Sequence, residues 1–253
     1  MNVGLYSGAA GMRVGEDYQQ LISENLSLQS VPGYRQSFPV FSTDPQAATS
    51  KTPATASGNP AAIIMTRVFD FSQGPMQPTG NPYNAAIQGQ AFFEVREADG
   101  TTSYTRNGSF TLSPKGQLST ADGAAVLGKG GSPITFDPTK AGTVAIGADG
   151  AISVNGVSQS SLGFAHFDNP SASLHAGAFG RFLPGNTNDA KSGLAPNDRV
   201  VQGSVEESNG NPVLEMANMI QAARIYEANS KSIKAVDDTQ NQLITNLGAH
   251  PQA

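Results

Sequence analysis

The sequence predicts an α+β protein, with N- and C-terminal helices forming a coiled-coil-like pair around a central, mostly antiparallel β region. Three observations carry this. Residues 216–247, "MANMIQAARIYEANSKSIKAVDDTQNQLITNL", keep a three-four spacing of apolar positions throughout. Residues 1–30 carry apolar side chains and glycines at helical spacing. The chain between them is cut into short alternating segments by Asp-Gly and Asn-Gly pairs.

The N-terminal helix, assigned to residues 1–35, has two apolar sets. One is Leu5, Ala9 and Met12; the other is Val14, Tyr18, Leu21, Asn25 and Leu28. Glycines 4, 8, 11 and 15 recur beside them and make a smooth strip that another helix can approach. Each interior glycine costs a helix about 1 kcal/mol relative to alanine. Such a helix depends on packing, and Pro32-Gly33 ends it.

Residues 36–62 are assigned to a linker, because 42–62, "STDPQAATSKTPATASGNPAA", is almost entirely Ala, Ser, Thr and Pro. The β-rich region spans 63–208. In "AFFEVRE", Phe93 and Val95 fall on one face, and Phe92, Glu94 and Arg96 on the other. Val144 and Ile146 are placed to pair with Ile152 and Val154 across Asp149-Gly150. A division into two subdomains falls near 127–138, "LGKGGSPITFDP".

The C-terminal helix is assigned to 209–253, with Pro212 suited to its first turn. Its seam is Met219, Ala222, Tyr226, Asn229, Ile233, Val236, Gln240, Leu243 and Leu247. Asn229 and Gln240 weaken that seam and fix its register. A helix over 212–247 is roughly 54 Å long at 1.5 Å per residue, and needs another long helix to cover it. The partner expected is the N-terminal helix, with neighbouring copies covering the glycine strip and the remaining apolar positions. The assembly interface so predicted comprises Leu5, Met12, Leu21, Ile22, Asn25 and Leu26, opposite Met219, Tyr226, Asn229, Ile233, Val236, Leu243 and Leu247.

Composition narrows the function. Charged residues make up 14% of the chain and the net charge is −5, which disfavours nucleic acid or an anionic membrane as the main partner. With no cysteine, thiol catalysis and disulfides are excluded. No apolar run approaches the roughly 18 residues that span a bilayer, so direct membrane insertion is not expected. The N-terminal stretch shows no basic region followed by an apolar one, so no Sec-type signal peptide is expected.

No catalytic residues, metal ligands or cofactor are predicted. His166, Asp168 and His175 could be grouped as a metal cluster, but their spacing matches no metal motif and solvated loop residues explain them better. Glu206 and Glu207 on a strand point to opposite faces and cannot share one glycosidic bond. The segment "GKGG" at 128–131 lacks the remainder of a phosphate loop.

Three stretches resemble the axial proteins of the bacterial flagellum, the family that forms the basal-body rod and hook. "LYSGAAGMRV" with "ISENLSLQSVPGYRQ" is similar to its N-terminal signature, through Leu5, Tyr6, Gly11, Met12, Asn25, Leu26, Gly33, Tyr34 and Arg35. "TGNPYNAAIQGQAFFEV" resembles its central motif, continued by "YTRNGSFTLSPKGQLSTADGAAVLG". "QGSVEESNGNPVLEMANMIQAARIYEANSK" resembles its C-terminal signature. Departures occur at Asn84, Gln90-Ala91, Ser27-Leu28 and Gly210, and bear on local turn geometry.

The resemblance implies a structural component of the basal-body rod, most like the proximal-rod type, with a distal-rod or hook-like paralogue as the alternative. It implies other rod proteins, copies of the chain itself and the flagellar export apparatus as partners. It further implies a rod crossing the periplasm, reached by type III export without cleavage. A secreted β-rich adhesin or carbohydrate-binding module is the alternative from another class; it leaves both terminal helices unexplained.

Overall fold

The computed structural model describes residues 3–43, 63–136, 142–186 and 189–248, with side chains described at 8–41, 65–136, 142–186 and 189–245. The chain divides into two compact units. A helical unit comprises Met1–Leu26, Ser37–Val68 and Asn211–Ala253, and a β unit comprises Ser27–Gln36 and Phe69–Gly210. The elements are those of an α+β protein whose terminal helices flank a mostly antiparallel β region.

In chain order, α1 (Val3–Leu28) is followed by β1 (Ser37–Thr43), β2 (Ile63–Phe69), β3 (Met76–Pro78), β4 (Ala85–Gln88), β5 (Phe92–Arg96) and β6 (Thr102–Thr105). Next come β7 (Phe110–Leu112), β8 (Leu118–Thr120), β9 (Ala125–Val126), β10 (Val144–Ile146), β11 (Ala151–Val154), β12 (Val157–Ser161) and β13 (Phe164–His166). After the short α2 (Pro170–Ser173) come β14 (Leu174–Ala176), β15 (Phe182–Pro184), β16 (Lys191–Ser192), β17 (Arg199–Gln202), β18 (Ser204–Glu206) and α3 (Pro212–Gly248).

In the helical unit, β1 pairs with β2. Residues 37–43, expected to belong to the linker, are therefore a strand, while the linker's remainder at 44–62 lies outside the described residues. The correction has a sequence reason. "SFPVFST" holds the aromatic and β-branched residues Phe38, Val40, Phe41 and Thr43, types that favour strands, ahead of the Ala/Ser/Thr/Pro-rich stretch. The ring of Phe41 meets Tyr18 of α1 edge-on, with centroids 6.3 Å apart.

The β unit is organised by β5, whose neighbours in the main sheet are β6, β9 and β13. Because successive side chains on a strand point to opposite faces, β5 feeds two apolar clusters. Phe93 and Val95 join Ile87, Phe110, Leu118, Val126, Ile152, Leu162 and Phe164 in one. Phe92 joins Tyr104, Phe167, Leu174 and Phe182 in the other. The hairpin across Asp149-Gly150 has the expected register, Val144 opposite Val154 and Ile146 opposite Ile152.

The subdomain boundary proposed near 127–138 is not seen among the described residues of that segment. Leu127, Ile134 and Phe136 are buried, and Ile134 and Phe136 share one cluster with residues on both sides of the segment in sequence. Ile134 N–H donates to Val126 O at 3.0 Å, and Phe136 N–H to Gly116 O at 2.6 Å. Glycine and proline marked a turn here, but the apolar Ile-x-Phe after it returns to the core.

Candidate assembly site

In the helical unit the glycine strip of α1 faces α3. A methyl group at Gly8 would fall 2.6 Å from Ile233 Cγ1, one at Gly11 2.8 Å from Asn229 Nδ2, and one at Gly15 3.6 Å from Tyr226 Cβ. Further along, Asn25 Nδ2 donates to Glu215 Oε1 at 3.3 Å. The numbers of each pair add to 240 or 241, so the two helices run antiparallel in one constant register. This corrects one expectation: the strip is covered by the same chain rather than left for neighbouring copies. Absence of Cβ lets the backbone of α1 approach large α3 side chains, which offsets the helix-propensity cost of glycine.

The predicted interface residues divide by environment. Leu21, Ile22 and Asn25 are fully buried, while Met12 and Leu26 are half-buried. On α3, Met219, Tyr226, Asn229, Ile233 and Val236 are half-buried, whereas most residues around them on the helix are exposed. Leu243 is exposed. Leu5 and Leu247 lie within the helices, but their side chains are outside those described. α1 has 26 residues and α3 has 37. In the shared register Val3, the first residue of α1, falls opposite 237–238, so α1 does not reach Leu243 or Ile244, which are exposed.

Asn25 does more than occupy a seam position. Its Nδ2 donates to Ser37 O at 2.8 Å, and its Oδ1 accepts from Ser37 N–H at 3.1 Å, tying α1 to the start of β1. Glu215, buried in the first turn of α3, completes this cluster. Burial, and secondarily the Glu215 carboxylate, hold the Tyr18 hydroxyl above its usual pKa. Glu215 carries no periodic apolar signal, so its burial was not legible from spacing.

The β unit has its own polar centre. Glu206, at the end of β18, is fully buried between two buried arginines. Arg35 Nη2 lies 2.7 Å from its Oε1 and Arg106 Nη1 lies 3.3 Å from its Oε2. Oε1 also accepts from Gly74 N–H at 2.7 Å. Two guanidinium groups and one carboxylate leave a surplus positive charge. Arg106 meets it by donating to the carbonyls of Gly89 at 2.5 Å and Ile87 at 3.4 Å, with its carbon 5.0 Å from the Phe92 centroid. Burial lowers the Arg106 pKa to about 10, against the opposing pull of Glu206, and it stays charged at neutral pH.

The Glu206 backbone carbonyl also accepts from Gly33 N–H at 2.7 Å. Gly33 has φ +70°, and its Cβ position is filled by the Arg106–Asn107 backbone. One carboxylate thus joins the turn after α1, the strand before α3 and the β6–β7 connection. Sequence reading singled out Arg35 and Glu206 within motifs but missed Arg106 as their partner. A contact between residues 100 positions apart has no periodic signature.

The candidate metal cluster does not form. Asp168 pairs with Lys191 Nζ at 2.6 Å, with His166 Nε2 3.9 Å away, and His175 is exposed on β14. Among the described residues no group of three His, Asp or Glu could hold a metal, and no helix is long and apolar enough to cross a membrane.

The described residues thus give two helices packed on a glycine strip and a β unit clasped around one buried carboxylate. Residues 86–154 match the family model of the flagellar hook protein FlgE/F/G D1 domain, and residues 201–247 match that of the flagellar basal body rod FlgEFG protein C-terminal region. The chain is 31% identical to the flagellar basal-body rod protein FlgF of Caulobacter vibrioides, covering 98% of this chain and 99% of that one. It is 32% identical to FlgF of Escherichia coli over 94% and 96% of the two chains. It is also 34% identical to the rod protein FlgG of Buchnera aphidicola over 91% and 96%. The chain belongs to the family of flagellar basal-body rod proteins and is of the proximal-rod type. It is a structural component of the flagellar basal body, in a family of structural rather than catalytic proteins.

Proposed function

We propose that the chain is a segment of the torque-transmitting drive shaft. In this reading α1 and α3 form a coiled-coil-like pair that packs laterally against the corresponding helices of other rod proteins and of its own copies. The terminal stretches 1–35 and 209–253 act as the axial part, and 63–208 as the β-rich part. Export through the flagellar type III pathway, without cleavage, brings the chain to a rod that crosses the periplasm. Its role is mechanical, with no chemical turnover.

The observation that carries this reading is what remains exposed once α1 covers its side of α3. Val213, Met216 and Ile220 follow a three-four spacing on the opposite side of the helix and are 70%, 52% and 58% exposed. Leu243 and Ile244 add exposed apolar surface past the part of α3 that α1 covers. Apolar surface on both sides of one helix fits a bundle of more than two helices.

Ile233→Asp tests the pairing. An Asp there would set an unpaired charge in the half-buried seam against Gly8, where partial loss of water opposes the pairing. The variant is expected to keep a folded β unit and to be missing from isolated basal bodies, measured by immunoblot against a β-unit epitope. Incorporation at the wild-type level would remove the paired-helix argument.

A further inference from the structure

The sequence holds six methionines, and they are not equally placed. Met1 lies outside the described residues. Of the others, Met12, Met65, Met76 and Met219 are half-buried, and Met216 alone is exposed, at 52%. Met216 and Met219 stand three residues apart on α3, so one helix carries both environments. An oxidant has to touch a thioether sulfur to react with it, so the two should differ in reactivity.

Met216 also has a particular place on its helix. Val213, three residues before it, and Ile220, four after it, lie on the same face and are exposed. Further along that face come Arg224, Glu227 and Lys231, all exposed, with Lys231 Nζ 2.7 Å from Glu227 Oε1. The apolar part of the face is therefore short. Met216 is the large side chain at its middle, joining Val213 and Ile220 into one patch.

We infer that Met216 is a site of reversible sulfoxidation by hydroperoxides, and that its oxidation breaks up the apolar patch on the outer face of α3. The Met216 sulfur lone pair attacks one peroxide oxygen. An S–O bond forms, the O–O bond breaks and, with hydrogen peroxide, water leaves. The sulfur loses two electrons and the peroxide gains them. The product is a polar, chiral side chain at the centre of the patch, and methionine sulfoxide reductases reverse the change. Apolar surface that docks there must strip water from the sulfoxide oxygen with nothing to replace it. The effect on assembly rests on the proposed packing of this face against neighbouring helices; the chemistry at sulfur does not.

The chemistry is tested on purified full-length chain treated with hydrogen peroxide, digested and followed by mass spectrometry. The chain has no cysteine to compete for the oxidant. Met216 should oxidise several-fold faster than Met12, Met65, Met76 and Met219, and a methionine sulfoxide reductase should then return it to the thioether. Equal rates at Met216 and Met219, or a Met216 sulfoxide that the reductase leaves in place, would overturn the inference.

The effect on assembly is read in the flagellated source cells by co-expressing full-length Met216→Gln and Met216→Leu chains. Glutamine fixes a polar side chain of similar length, whereas leucine stays apolar and cannot be oxidised. The ratio of the two in isolated basal bodies is compared with their ratio in whole cells. The glutamine chain should be depleted roughly tenfold, as for loss of one methionine's apolar burial. An unchanged ratio would overturn the effect on assembly and leave the rod assignment standing. Absence of both variants and of the wild-type chain from basal bodies would overturn the rod assignment itself.

Discussion

Gly8 and Ile233 lie on helices at opposite ends of the chain, and a Cβ on Gly8 would come within 2.6 Å of Ile233 Cγ1. Gly15 has more room, since a Cβ there would meet Tyr226 Cβ at 3.6 Å, an ordinary contact. Gly8→Ala and Gly15→Ala each gain about 1 kcal/mol of helix propensity. Only the first must also push a neighbour aside, at about 1–3 kcal/mol. Gly15→Ala should therefore melt higher than Gly8→Ala when helical circular dichroism is followed against temperature. The reverse order would contradict the close approach.

Glu206→Ala leaves two buried guanidinium groups without their carboxylate. The expected loss is about 3–5 kcal/mol, read from urea unfolding. Glu207 is the control on the same segment, because it is exposed. Glu207→Ala should change stability by less than about 0.5 kcal/mol.

Gly33→Ala tests how the turn after α1 is locked. The substitution forces a side chain into a left-handed backbone, at about 1–2 kcal/mol, and drives a methyl group into the Arg106–Asn107 backbone. Its effect should exceed that of Gly131→Ala. There φ is also positive, at 71°, but no atom lies near the Cβ position. Equal midpoints for the two in urea would show that the contact with Arg106 is not tight.

Burial raises the pKa of Glu94 on β5 above the usual carboxylate value. Between the unfolded and folded values the folded chain binds more protons, so stability falls as pH rises through that window. Glu94→Gln should remove this part of the pH dependence and raise the melting temperature at neutral pH. An unchanged slope of melting temperature between pH 4 and 7 in the variant would count against it.

Legibility in the sequence followed the range of the interaction. The three-four spacing from Met219 to Val236 and the four-three-four glycines of α1 are local patterns. They located both helices, and the strip faces α3. Phe92 and Phe93 separated onto two clusters for the same reason, since alternation is a property of neighbouring residues. The Arg35–Glu206–Arg106 cluster and the burial of Glu215 depend on chain segments more than 70 residues apart, and no local pattern encodes them. The strand at 37–43 was hidden by the composition of the stretch after it, and the expected boundary at 127–138 by the glycines that precede Ile134.

Quantitative mass spectrometry of purified hook–basal bodies from the source organism tests the central claim most directly, by counting this chain against the other rod and hook proteins. The account predicts that the chain is present at a handful of copies per particle, as suits a short proximal segment. Tens of copies would place it in the distal rod, and absence from intact particles would contradict its role as a rod component.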